Sequence, residues 1–382
     1  MSAAGASFLF LLLSTVAAAS SITTLSSDIA ALKAIKSSIK PTTIPSYTCL
    51  HSWDFTSDPC SPPRVTHFLC GVTCSGNRVT QLTLDPAGYV GTLSPLVSQL
   101  TQLITIDLTD NKFSGPIPSS LFFLPNLQTL NLGSNSFSGV IPPSVSNLKK
   151  IQTLDISRNS LSGSLPNTLT SLSQLTRLDL SFNKLTGPIP GLPKNIIQLA
   201  LKGNSLSGYL QKQSFQGLTQ LETVELSENS LAGTIPGWFF LIPSLQQVNL
   251  AKNSFTGVEI FKPIDSNLVA VDLGFNRITG YPPTNFSAYP MLASLTLSYN
   301  KLRGRIPWEY SKKPTLSRLF LDGNYLIGLP PKEFFSGKTS ISGSLGDNCL
   351  KLCPVSSELC VKSQKPLSIC KQAYRGKLKP KS

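Results

Sequence analysis

Apolar and polar residues alternate along most of this chain in one recurring order, LxxLxLxxN, with Ile or Val allowed at the apolar places. The stretch "IDLTDNKFSGPIP" at Ile106–Pro118 returns as "LNLGSNSFSGVIP" from Leu130, "LDISRNSLSGSLP" from Leu154 and "LDLSFNKLTGPIP" from Leu178. Aligned on its Asn, the pattern marks Asn111, Asn135, Asn159, Asn183, Asn204, Asn229, Asn253, Asn276, Asn300 and Asn324. Most steps are 24 residues, with single steps of 21, 25 and 23. An earlier copy, "VTQLTLDPAGYVG", places Ala87 where Asn would stand, so about eleven repeats run from Val79 to Pro331.

Each copy has a direct physical reading. The LxL pair has a period of two, so both apolar side chains point to one face of a short strand. The Asn amide offers a donor and an acceptor, and can satisfy backbone groups of adjacent turns where water is absent. The Gly four residues on tolerates positive φ and close approach, and the "IP" pair buries an aliphatic group and ends the segment. One copy cannot stand alone. It buries about seven apolar side chains at roughly 1.5–3 kcal/mol each, against about 1–2 kcal/mol of backbone entropy per residue. Stacked copies share one core, which predicts a solenoid with a parallel sheet along one side.

A stack exposes apolar surface at its two ends, and the eight cysteines fall there. Cys49, Cys60, Cys70 and Cys74 precede the repeats; Cys349, Cys353, Cys360 and Cys370 follow them. An even count, two His and no CxxC pairs favour disulfides over zinc, and each group of four admits three pairings. "SSDIAALKAIKSSI", Ser26–Ile39, has polar residues at a helix start, apolar Ile29, Leu32 and Ile35, and Pro41 just beyond; a helix covering the first repeat is expected. Residues 1–19 read as a secretory leader, from the apolar run Phe8–Leu13 and Ala17-Ala18-Ala19. The organisation expected is therefore leader 1–19, helical and Cys-rich cap 20–78, repeats 79–331, Cys-rich cap 332–370 and basic tail 371–382. No later stretch is long and apolar enough to span a bilayer, so the mature chain is expected outside the cell, without a membrane span.

The 24-residue form LxxLxLxxNxLSGxIP resembles the plant-specific class of leucine-rich repeats, and Ser52–Leu84, "SWDFTSDPC...CGVTCSGNRVTQLTL", is similar to that family's N-terminal cap. The family includes ectodomains of receptor-like kinases and receptor-like proteins and, more distantly, polygalacturonase inhibitors. The resemblance implies an α/β-class right-handed solenoid with one concave parallel sheet, disulfide-capped at both ends. It also implies a peptide or protein ligand on that concave face, a membrane receptor kinase as a possible partner, and residence in the cell wall space. The chain departs from the receptor kinases in lacking a span and a kinase module, and from the inhibitors in its first cap, which has no adjacent cysteines.

Chemistry for catalysis is not visible. Both His lie in the N-terminal cap, and neither a phosphate loop nor a kinase signature occurs. The expectation is a recognition module without cofactor or metal, not an enzyme; the alternatives are an inhibitor of a secreted wall-degrading enzyme and a pectin-associated structural wall protein.

Charge then sharpens the picture. Counting the five x positions of each LxxLxLxxN as outward gives ten acids, Asp85, Asp107, Asp110, Asp155, Asp179, Glu222, Glu225, Glu228, Asp272 and Asp322. It gives five bases, Arg158, Arg177, Lys202, Lys252 and Arg318. That face carries −5 in a chain of net charge +14, leaving +19 elsewhere. A basic partner is expected there, with Glu222, Glu225 and Glu228 the densest acidic strand. The alternative is that acids in the "LDLS" place only orient local backbone. Phe275, Tyr299 and Phe320 lie on neighbouring repeats of the same face and are candidate anchors, or a sheet ladder packed on itself. From Pro331 onward there are ten Lys or Arg against three acids; this basic end is either a pectin-retention element or a solvated tail. A secreted address argues against nucleic acid. One glycosylation sequon occurs, at Asn285.

Overall fold

The computed structural model describes residues 23–56, 58–60, 71–336, 341–354, 356–361 and 363–374. The expected leader, Cys70, His67 and tail residues 375–382 lie outside these.

The repeats stack into one thirteen-stranded sheet. It opens with an antiparallel hairpin, Gly71–Ser75 against Arg78–Thr83, and continues through eleven three-residue strands from Thr105–Asp107 to Ser342–Ser344, all parallel. Register follows the leucines: Leu82 pairs with Ile106, Ile106 with Leu130, Leu130 with Leu154, and so on to Leu295 with Leu319. Each of these side chains is buried in one continuous core. The segments after the Asn add a second set of parallel strands. Eight run from Val90–Gly91 to Ser254–Val258, and four more from Thr279–Gly280 to Cys349–Leu350. The break between them falls in the irregular copy "GVEIFKP", where Phe261 and Ile264 are exposed and no 3-10 helix forms before the next strand.

The Asn residues tie one rung to the next. Asn135 donates from Nδ2 to the carbonyls of Leu108 (2.9 Å) in the previous rung and Leu132 (3.2 Å) in its own. Its Oδ1 accepts from the Phe113 N–H at 2.9 Å. The same set recurs at every Asn from Asn111 to Asn324. Ala87 needs no such amide, because the rung before it is replaced by the N-terminal cap.

The stack runs one rung further than the leucine pattern shows. Asn348 repeats the ladder, donating to Leu321 O (3.0 Å) and accepting from Leu326 N–H (3.0 Å), and its strand is Ser342–Ser344. This twelfth parallel strand lies inside the segment expected as cap. Gly343 stands where a leucine would be: a Cβ there would sit 1.8 Å from Leu319 O. Close approach of the backbone removes the apolar side chain by which the sequence pattern would have identified the rung.

Both ends are closed. A helix α1 (Ser26–Ser37) lays Ala31, Leu32 and Ile35 on the first rung. Its N-cap is Leu25, with no side-chain cap. Asp28 turns inward instead, fully buried, pairing with Arg78 at 3.1 Å and accepting from the Val79 N–H at 2.9 Å. Cys60–Cys74, Cys349–Cys370 and Cys353–Cys360 are disulfides, and Cys49 is disulfide-bonded as well. A short helix α2 (Leu367–Tyr374) follows the last rung.

Candidate binding face

In every rung but the last the strand buries its central residue and leaves the two neighbours more open, so side chains six and four places before each Asn form columns across the long sheet. The position two before the Asn behaves differently. Ser181, Ser227, Ser298 and Asp322 are buried there. Counting all five x positions as outward therefore overstates the face. Asp322 in particular is 3% exposed and accepts from Ser298 Oγ at 2.5 Å.

The column four before the Asn holds Asp107, Asp155, Asp179, Glu225 and Asp272, and each accepts the backbone N–H two residues on, at 2.8–3.0 Å. These acids brace the turn into the Asn. Glu225 goes further. Its second oxygen takes Nδ2 of Asn249 from the next rung at 2.8 Å, and Asn249 in turn accepts from Ala251 N–H. One rung beyond lies Asp272, whose carboxyl is held above the usual range by burial, with the Gly274 N–H opposing and the Glu225 charge adding to the rise. Two carboxylates of like charge thus share one column, separated by a single Asn.

The column just before the Asn is conformationally distinct. Asp110, Ser134, Arg158, Phe182, Glu228, Lys252, Phe275, Tyr299 and Asp347 all have φ of 49–57°, and Gly203 and Gly323 complete the series. From Asp110 to Gly323 each N–H here donates to a carbonyl of the next rung, as Phe275 does to Ser298 O (2.8 Å) and Tyr299 to Asp322 O (2.7 Å), and Asp347 on the last rung donates to Ser363 O (2.9 Å). No β-branched residue occupies this column, in keeping with the left-handed conformation. Side chains along it form a ladder. Arg158 lies 4.6 Å over the Phe182 ring; Glu228 pairs with Lys252 (3.0 Å) and Lys202 (3.7 Å); Phe275 and Tyr299 stack at 4.5 Å with planes 12° apart. Tyr299 lies across Gly323, where a Cβ would meet its ring at 2.6 Å.

The candidate residues thus fall in three columns. Glu222, Glu225 and Glu228 share a rung but have separate surroundings. Glu228 is held below the usual carboxylate range, chiefly by its hydrogen bond to Lys252, and its charge is met by two lysines. Glu222 is half-buried and gives its carboxylate to no hydrogen bond among the described residues. Phe275 (51% exposed) and Tyr299 (37%) are brought together, whereas Phe320 lies in the column of Glu225 and Asp272. Sequence reasoning missed Asn249, which links the acids and carries no charge to mark it. Asn285 is exposed on the 3-10 helix Thr284–Ala288, and its Nδ2 donates to Ile260 O at 2.8 Å.

Comparison with known proteins matches two leucine-rich-repeat family models, one to residues 125–185 and 194–255 and the other to residues 102–124. Among curated proteins of Arabidopsis thaliana, the LRR receptor-like serine/threonine-protein kinase GSO2 is 43% identical over 51 residues, 13% of this chain and 4% of that protein. Protein MALE DISCOVERER 1 is 47% identical over 49 residues, 13% of this chain and 7% of that protein. Among solved structures, PEPR1–AtPEP1 aligns with a TM-score of 0.75 and 30% identity, over 85% of this chain and 46% of that one. The peptide hormone receptor RGFR1 in complex with RGF2 aligns at 0.65 and 31%, over 71% and 43%. This chain therefore spans less than half the length of these two solved chains, and a small fraction of the two curated proteins. With the repeats, the parallel sheet and the end disulfides in place, this chain is a leucine-rich-repeat protein whose relatives are plant receptor kinases and receptor ectodomains.

Proposed function

We infer that the chain is a secreted recognition module that binds a peptide or protein with basic and apolar side chains on the outer face of the long sheet. The observation that carries this is the juxtaposition, within rungs seven to ten, of the Glu225–Asn249–Asp272 column with the exposed Phe275–Tyr299 stack. A cation entering that column relieves like-charge repulsion, and the stacked rings offer apolar or π surface beside it. Relatives point the same way: solved neighbours are described as a peptide hormone receptor with its peptide, and as a receptor kinase with a peptide hormone and a co-receptor. Several disulfides in one chain suit an oxidising, extracellular compartment. In this reading the module works beside a membrane receptor kinase rather than as a catalyst.

The test is selection of a random heptapeptide display library on the immobilised full chain. Enrichment of peptides pairing Lys or Arg with apolar residues is expected, with affinity falling at least tenfold in F275A/Y299A and weakening with salt. Selection without basic enrichment, or binding that survives the double substitution, would refute the reading.

A further inference from the structure

A second site lies away from the long sheet. Helix α2 packs beside the last strands of the second sheet, and between them is a cavity of about 560 Å³. Its position is fixed covalently and by hydrogen bonds. The Cys349–Cys370 disulfide ties α2 to the last strand, and Tyr374 donates to Tyr325 O (2.6 Å) while accepting from Gly304 N–H (2.9 Å).

The lining has an unusual balance. Ile327, Leu329 and Leu367 give it an apolar body, and Arg305, Lys351 and Lys371 place three cations on it with no carboxylate among the lining residues. None of the three cations makes an ion pair among the described residues. The single side-chain hydroxyl in the lining, that of Tyr374, is already engaged on both sides. A ligand rich in hydroxyls finds no free side-chain hydroxyl here, and a neutral apolar one gains nothing from the three exposed cations. The volume falls within the range of small-ligand sites.

We propose that this cavity binds a small ligand made of an aliphatic body and one carboxylate, held by Arg305, Lys351 and Lys371. Such chemistry comes either from a free aliphatic acid or from the C-terminal carboxylate of a peptide with aliphatic last residues. It excludes acidic sugars as the preferred ligand, and it stands independently of the long-sheet reading.

Calorimetry on the full chain with disulfides intact separates these cases. The probes are octanoate, octan-1-ol, the tripeptide acetyl-Ala-Leu-Leu with a free carboxylate, and trigalacturonate. Octanoate or the tripeptide is expected to bind at one site, and whichever binds more tightly identifies the source. Octan-1-ol and trigalacturonate are expected to bind at least tenfold more weakly. Loss of one charged contact corresponds to roughly tenfold, so Arg305→Gln and Lys371→Gln should each weaken binding by about that factor, and Lys149→Gln should not. Lys371 is exposed on α2, so its variant serves even if Arg305→Gln fails to fold. Equal binding of octanoate and octan-1-ol, tighter binding of trigalacturonate, indifference to Lys371→Gln, or no binding of either carboxylate would overturn the proposal.

Discussion

Asn324→Ala isolates what holds one rung to the next. Asn324 is fully buried; its Nδ2 donates to Leu297 O (2.9 Å) across the rung boundary and to Leu321 O (3.0 Å), and its Oδ1 accepts from Leu302 N–H (3.0 Å). Leu297 O keeps a second donor, Asn300 Nδ2, so its loss is partial. Leu321 O likewise keeps Asn348 Nδ2 at 3.0 Å, so the substitution strands chiefly the Leu302 N–H. A buried, unsatisfied group costs about 1–3 kcal/mol, and the substitution should destabilise the chain by about that much. The damage should be local, because in a stacked-repeat protein each rung contacts only its neighbours. Urea unfolding under non-reducing conditions measures the total, and native-state amide exchange of Leu302 measures the place. A loss below about 1 kcal/mol, or unchanged protection at Leu302, would refute the reasoning. Ala87→Asn is the matching control: with no preceding rung to satisfy, it should add little.

Three further outcomes follow from the same structure. Gly343→Ala, with its Cβ 1.8 Å from Leu319 O, should destabilise the chain far more than Gly76→Ala, which has positive φ but open space around it; thermal unfolding of the two variants compares them directly. Asp28→Ala leaves Arg78 partly buried beside an unanswered Val79 N–H, and should cost about 3–5 kcal/mol by denaturant unfolding. Asp272 has its carboxyl raised by burial and by Glu225, so the folded state binds its proton more tightly than the unfolded chain does. Its destabilising effect is full above the folded-state value and absent below the unfolded one. Asp272→Asn should therefore stabilise at neutral pH, with the gain vanishing as pH falls through the ordinary carboxylate range, as pH-dependent melting curves would show.

Much of the fold was legible because a solenoid writes its core into a short period. Leu82, Ile106 and Leu130 occupy equivalent places in the sequence, and they pair directly in the sheet. The Asn ladder was legible for the same reason. Where the pattern failed, backbone geometry had replaced a side chain, as at Gly343. The binding face was less legible. Period-two reasoning holds for the three strand residues, but past the strand the chain turns into the Asn: Asp322 and Ser227 point inward, and the residue before each Asn takes positive φ. Charge counting could not foresee that Glu228 is met by two lysines while Glu225 and Asp272 share a column through Asn249.

The long sheet is the surface proposed to meet a partner. Photo-crosslinking with a benzophenone-bearing form of a selected basic peptide, mapped by mass spectrometry, tests this directly. Crosslinks concentrated on Glu225, Asn249, Asp272, Phe275 and Tyr299 are the expected result. Crosslinks confined to the second sheet, to α1 or to α2 would contradict it.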